Sequence, residues 1–159
     1  MKKLSFNKTI LIWIVFQLGP LGALFAQGNW QSFTTENTIL VDNQINDILI
    51  VDGVKWVGTN WGLYTYDNTS WIDYTDVLPH PLVNSISIDK EGNIYVCTLS
   101  GIAIYNGISW ETITSQNSII TSHVNEVVFD DDNTAYIGTI DGLFKICLLY
   151  TSPSPRDAH

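Results

Sequence analysis

The chain has 159 residues, with 7 Lys and Arg against 16 Asp and Glu, a net charge of −9, and only 14% charged residues beside 45% hydrophobic and 12% aromatic. Phosphates demand clustered Lys and Arg, so this balance excludes a nucleic-acid partner, while six Trp and eleven Gly exclude a disordered chain. The length allows one domain.

At the start, Met1, Lys2, Lys3 and Lys8 lead into an apolar run from Ile10 to Phe16, and QLGPLGALFA continues to Ala26. A positive head, a short apolar stretch and small residues form the layout of a secretory signal peptide over 1–26, cut after Ala26. The unbroken run of seven residues falls short of the about 18–20 of a membrane span. Gln17, Gly19, Pro20 and Gly22 interrupt the segment after Phe16, and position 27 is Gln, so no lipid-bearing Cys heads the mature chain.

Beyond the signal the chain repeats itself. Three segments superimpose: WVGTNWGLYTYD from Trp56, YVCTLSGIAIYN from Tyr95 and YIGTIDGLFKI from Tyr136. Thr59, Thr98 and Thr139 are 39 and 41 residues apart, as are Gly62, Gly101 and Gly142, while Trp30, Trp71 and Trp110 are 41 and 39 apart. Upstream of each segment lies a second matching element, INDILIVD from Ile45, VNSISID from Val83 and VNEVVFD from Val124.

Each repeat offers four short strands. In the second these are Val83 to Asp89, Asn93 to Thr98, Gly101 to Tyr105 and Ser109 to Thr114, with Gly92-Asn93 and Asn106-Gly107 as turn residues that tolerate positive φ. Four antiparallel strands in about 40 residues is the arithmetic of a β-propeller blade. The expected fold is all-β, a partial β-propeller over 27–146: a lone outer strand at 30–34, blade one at 45–75, blade two at 83–114 and a truncated blade three at 124–146. Ile48 and Ile50, Ile86 and Ile88, and Val127 and Phe129 should face a neighbouring blade. Trp56, Tyr95 and Tyr136 are expected to join the same packing.

The last residues share no pattern with the repeats. CLLYTSPSPRD, from Cys147 to Asp157, resembles the in-frame translation of a transposase adapter used in DNA sequencing, so 147–159 is expected to be an artefactual tail. By spacing, the closing Trp of the third repeat should fall at 149–151, where Leu149, Tyr150 and Thr151 stand. Setting aside Lys2, Lys3, Lys8, Arg156 and Asp157 leaves 3 cations, 15 acids and a net charge of −12. Cys97 is then alone, and no disulfide is inferred.

The inner strand ending in Asp, followed by Trp-Val-Gly-Thr, Gly-Leu, Tyr-Asp and a closing Trp, resembles the two-component-regulator propeller repeat over residues 30–146. Tyr95 and Tyr136 in place of Trp, and Cys97 in place of Gly, depart from that pattern. The resemblance implies an exported protein in the periplasm, at the cell surface or secreted, of a Bacteroidetes-like kind, and the LFAQ junction at Leu24 to Gln27 is similar to signals of that group. It implies a sensor propeller of a hybrid two-component regulator. The alternative is a secreted or surface propeller, with a sorting domain and a structural or adhesive role. A propeller lyase or glycosidase is opposed by the lack of Arg between 27 and 146 and of any acid–base cluster there. No enzyme activity and no cofactor are expected.

Propeller topology puts the loops between second and third strands on one face, together with the starts of the inner strands. The candidate ligand-binding residues there are Asn60, Trp61, Ser100 and Asp141, with Asn46, Asn84 and Asn125 at the inner-strand starts and His80 and His123 just before two of them. Amides beside an exposed Trp would suit a small neutral ligand such as a glycan or a peptide. The Asn trio can equally cap backbone groups at strand starts, and loop histidines are commonly only solvated. Trp61 stands out because its repeat partners are Ser100 and Asp141. Asp130 to Asn133 align with the first hairpin turns and lack the Gly and Glu of a calcium loop, so they are expected to form a turn and no metal site. The partners expected are the missing blades of the same chain, or other copies through exposed strand edges.

Overall fold

The computed structural model describes residues 29–118 and 123–147; the signal reading at 1–26 and positions 148–159 of the tail lie outside them. The chain divides into two units, Met1–Ser32, in which residues 29–32 carry no regular structure, and Phe33–His159. The described residues of the second unit form eleven strands and one short 3-10 turn at Thr75–Val77, an all-β arrangement.

The first sheet runs in the order β1 (Ile45–Val51), β2 (Val54–Thr59), β3 (Gly62–Tyr66), β4 (Trp71–Asp73). The second repeats that order with β5 (Val83–Ile88), β6 (Ile94–Thr98), β7 (Gly101–Tyr105) and β8 (Trp110–Ile113). The third holds β9 (Val124–Phe129), β10 (Thr134–Thr139) and β11 (Gly142–Cys147). All neighbours pair antiparallel. The fold is a partial β-propeller of three such sheets.

The register repeats with the sequence. Ile45 faces Thr59 across β1 and β2, Val83 faces Thr98, and Val124 faces Thr139, each followed by a one-residue irregularity. The tight turn Asp52-Gly53 has φ of +50° and +81°, the double positive φ that matches a two-residue hairpin to strand twist. The later first-to-second-strand turns are longer and built on Asp89 and Asp130, so Asp130 to Asn133 form the turn that the repeat alignment requires.

Strand alternation explains the core. In β6, Ile94 and Val96 belong to a cluster with Trp56 and Leu63 of the first sheet, whereas Tyr95 and Cys97 belong to one with Val127, Ala135 and Ile137 of the third. Successive side chains point to opposite faces, so β6 is buried throughout because sheets lie on both sides of it. Ile86, Ile88, Val127 and Phe129 join these clusters as expected. Trp56 and Tyr95 do not share their face. They project from the opposite side of their own sheets, so the aromatic side of one sheet meets the Ile and Val side of the next. Ile48 and Ile50, on the corresponding side of the first sheet, are 56% and 63% exposed.

The expected lone strand at 30–34 is absent: residues 29–34 form no ladder. A strand needs a partner edge, and residues 29–34 pair with none of the described strands. The repeat still governs its contacts. Phe33, 41 residues before Tyr74, packs on Tyr66 and Trp71 at 5.0 and 5.6 Å, as Tyr74 packs on Tyr105 and Trp110 at 6.4 and 5.5 Å. The adjoining turn also recurs, with Thr34 N–H donating to Asn37 Oδ1 at 2.8 Å and Thr114 N–H to Asn117 Oδ1 at 2.8 Å.

Gly58 shows how tightly the first two sheets meet. A Cβ at this position would lie 2.5 Å from Val83 Cγ1, a contact that the Val83 side chain or its strand must move to relieve. Gly58→Ala should therefore lower stability by ~1–3 kcal/mol through overpacking, read as a reduced midpoint in urea unfolding followed by circular dichroism. An unchanged midpoint would contradict this sheet contact.

Candidate functional site

The loops joining second to third strands are built by one device used three times. Thr59 Oγ1 donates to the Gly62 carbonyl at 3.1 Å and accepts from Trp61 N–H at 3.0 Å. Thr98 does the same with Gly101 at 2.8 Å and Ser100 at 3.2 Å, and Thr139 with Gly142 at 3.0 Å and Asp141 at 3.1 Å. Gly62, Gly101 and Gly142 hold φ of +143°, +131° and +132°, a region that disfavours a Cβ. The repeated Thr-x-x-Gly of the sequence is thus a hairpin clamp. It fixes the backbone under Trp61, Ser100 and Asp141 and leaves their side chains exposed.

Trp61 is 61% exposed, and its carbonyl accepts from the Tyr64 hydroxyl at 3.2 Å. A large apolar ring in water on a rigid hairpin needs no movement to stack on a ligand. Ser100 and Asp141 occupy the equivalent turn positions of the second and third sheets. Asn60, beside Trp61, accepts from the Asn46 side-chain amide at 3.0 Å.

The Asn side chains at the inner-strand starts are engaged with backbone of the neighbouring sheet. Asn46 Nδ2 donates to the Val83 carbonyl at 2.8 Å, and Asn84 Nδ2 to the Val124 carbonyl at 2.7 Å. Asn46 and Asn84 therefore join successive sheets rather than capping their own strands. Asn125, the third of the series, is exposed. Asp47 adds a second link, its Oδ2 accepting from Ile86 N–H at 2.6 Å. At the far end of the second and third sheets, Asn133 accepts from Lys90 N–H at 3.1 Å, and its amide bonds Glu91.

The histidines are held locally. His80 Nδ1 accepts from Leu82 N–H at 3.0 Å, which leaves Nε2 to carry the ring proton of the neutral form. The His123 carbonyl accepts from Ile140 N–H at 3.3 Å, tying the start of β9 to the loop that carries Asp141. Among the described residues no group of three His, Cys, Asp or Glu side chains could hold a metal ion.

Two other features bear on chemistry. Cys97 is fully buried, and burial pushes its thiol up to about 12. Asp67 caps the turn before β4, where the Thr69 hydroxyl at 2.7 Å and the Ser70 N–H at 2.7 Å hold its carboxyl well below the usual carboxylate range. Neither arrangement pairs a nucleophile with a base.

A groove that the sequence reading missed lies at the opposite end of the first two sheets. It has a volume of about 360 Å³, and its lining includes Trp56, Tyr74, Tyr105, Asp52 and Asp67. Trp56 stacks on Tyr74 at 5.6 Å and lies 5.7 Å from Tyr105. The signal was present in the twin motifs YDNTSW and YNGISW, in which Tyr66 stacks on Trp71 at 4.8 Å and Tyr105 packs on Trp110 at 5.0 Å. None of the expected site residues lines this groove.

Solved structures match this architecture. The extracellular domain assigned to a hybrid two-component system of B. thetaiotaomicron superimposes with a TM-score of 0.61 at 15% identity, over 74% of this chain and 18% of that one. The chain shares the fold of that domain. A second extracellular domain from the same organism, assigned to a one-component system in one structure and to a hybrid two-component system in another, matches at TM-scores of 0.56 and 0.55. Identity there is 25% and 28%, over 64% of this chain and 15% of that one. This chain thus spans less than a fifth of the length of the domains it resembles. No protein-family model matches the chain, and no curated protein matches it significantly.

The burial of Cys97 makes a direct chemical prediction. In a Cys147→Ser variant at mildly alkaline pH, a thiol reagent should label Cys97 only after denaturant is added, because the thiolate is the reactive form. Labelling of the native protein at the rate of a free thiol would contradict its place between the second and third sheets.

Proposed function

We propose that this chain is a non-catalytic, ligand-binding piece of an exported propeller that works as the sensing part of a hybrid two-component regulator. The observation that carries this reading is the likeness to an extracellular domain assigned to a one-component system in the structure matched at 25% identity and to a hybrid two-component system in the one matched at 28%. The binding surface is the end of the sheets bearing Trp61, Asn60, Ser100 and Asp141. Its ligand is small and neutral, a glycan or a peptide.

The chemistry of the loops supports this choice. Trp61 presents an apolar face, while Asn60 and Ser100 offer amide and hydroxyl groups suited to sugar hydroxyls or peptide amides. Between 27 and 146 the only cations are Lys55, Lys90 and Lys145, and the Lys55 and Lys90 ammonium groups are bonded to Asn68 and to the Asp131 carbonyl. An acidic sugar or a phosphate would meet no guanidinium fork. Because the hairpin clamps fix the loops beforehand, binding costs little ordering.

Isothermal titration with a panel of neutral oligosaccharides and unstructured peptides tests this reading. A ligand from the panel should bind, and Trp61→Ala should weaken it about tenfold or more, equivalent to ~1.4 kcal/mol, without lowering the melting temperature. Binding that survives the substitution unchanged would move the site elsewhere, and the groove beside Trp56 would be the next surface to probe.

A further inference from the structure

The groove between the first and second sheets holds charges and rings that the stacking of sheets does not require. Both of its walls are four-stranded sheets, and its floor is apolar, with Val54, Trp56, Ile72 and Ile94. Trp56 and Ile94 are buried, whereas Ile72 is 50% exposed. On the second-sheet side the turn residues Gly92 and Gly107 line the groove, and a Cβ on either would meet nothing within 4 Å. That rim is bare and leaves the floor open to a ligand.

The first-sheet rim is acidic. Asp52 and Asp67 line the groove, and its lining includes no Lys, Arg or His. The Asp52 carboxylate bonds to none of the described residues, and the bonds from Thr69 and Ser70 keep Asp67 ionised. Lys55 stands between Val54 and Trp56 in β2, so its side chain leaves by the opposite face. Its ammonium donates to the Gly53 carbonyl at 2.8 Å and to Asn68. At the second junction the positions of Tyr74, Tyr105 and Asp67 hold Ile113, Ile146 and Asn106, and that of Ile72 holds Glu111. Sheets of this repeat thus pack without the aromatic pair, the acid or the exposed Ile found here.

We propose that this groove binds a small organic ammonium, its apolar body on Val54, Trp56 and Ile72 and its cationic end at Asp52 and Asp67. The volume of about 360 Å³ suits a small molecule. Charge complementarity selects the cation. A neutral ligand of the same shape would leave two carboxylates without a counter-charge, and an anion would be repelled by both. Tyr74 and Tyr105, half-buried in the same groove, add the attraction of aromatic rings for a cation. The site lies at the opposite end of the sheets from Trp61 and is independent of the reading of that surface.

Amide NMR titration of the full chain with three probes of one shape tests the proposal: phenethylammonium, the neutral phenethyl alcohol and the anionic phenylpropanoate. The ammonium should saturate below ~50 mM and shift the Gly92 and Gly107 amides, with the alcohol about tenfold weaker and the anion not bound. Asp52→Asn keeps a residue type that tolerates the φ of +50° at this turn, so the turn survives while the charge is lost. It should weaken the ammonium about threefold or more and leave the alcohol unchanged. Ile72→Lys, at a half-exposed position, tethers an ammonium in the groove and should abolish binding, and the amide spectrum of each variant reports its fold. Trp61→Ala should leave the ammonium affinity unchanged, which separates this site from the one at the other end. Equal affinity for ammonium and alcohol, a response confined to Trp61 and Ser100, or an unchanged affinity in either groove variant overturns the proposal. So does a wild type that shows no saturation by ~50 mM.

Discussion

A sheet of three or four short strands has two faces, and it can bury neither of them by itself. In this protein that constraint is met by laying the aromatic side of each sheet on the Ile and Val side of the next. The consequence is visible in β6, whose five residues are all buried although alternate ones point in opposite directions. Hydrophobic contact of this kind is non-directional, so polar groups must set how the sheets align. Asn46 on the Val83 carbonyl and Asn84 on the Val124 carbonyl do this at the inner-strand starts, and Asp47 on Ile86 N–H adds to the first junction.

Much of this order could be read from the sequence, for a physical reason. The Thr-x-x-Gly clamp depends on a side chain and a backbone conformation within four residues, so it leaves a local mark that recurs at the blade period. The strands of the second repeat obey the same logic, and the observed β5 to β8 lie within the segments read from alternation and turn residues. What failed to show was the relation between sheets. An Asn at a strand start looks like a cap for its own backbone, and nothing local reveals that its acceptor lies 37 or 40 residues away. The separation of Trp56 and Ile48 onto opposite faces was likewise missed, because both are simply apolar until the register is known.

Residues 30–34 carry the complementary lesson. Their Trp and Phe keep the repeat spacing, and Phe33 makes the ring contacts that its counterpart Tyr74 makes one sheet later. Yet they form no strand. Periodicity in sequence records side-chain contacts, while a strand also requires an edge to pair with. The candidate site divides in a similar way. Asn46 and Asn84, which looked like ligand donors, are occupied in joining sheets, whereas Trp61 and Ser100 project from clamped turns with their side chains exposed.

The claim on which the account rests is that these asparagine amides bridge neighbouring sheets. Side-chain amide hydrogen exchange, followed residue by residue by NMR, tests it directly. The account predicts slowed exchange at the Asn46 and Asn84 amides and through-hydrogen-bond couplings to the Val83 and Val124 carbonyls. Amides at both positions that exchange as fast as those of exposed asparagines, with no such couplings, would contradict it.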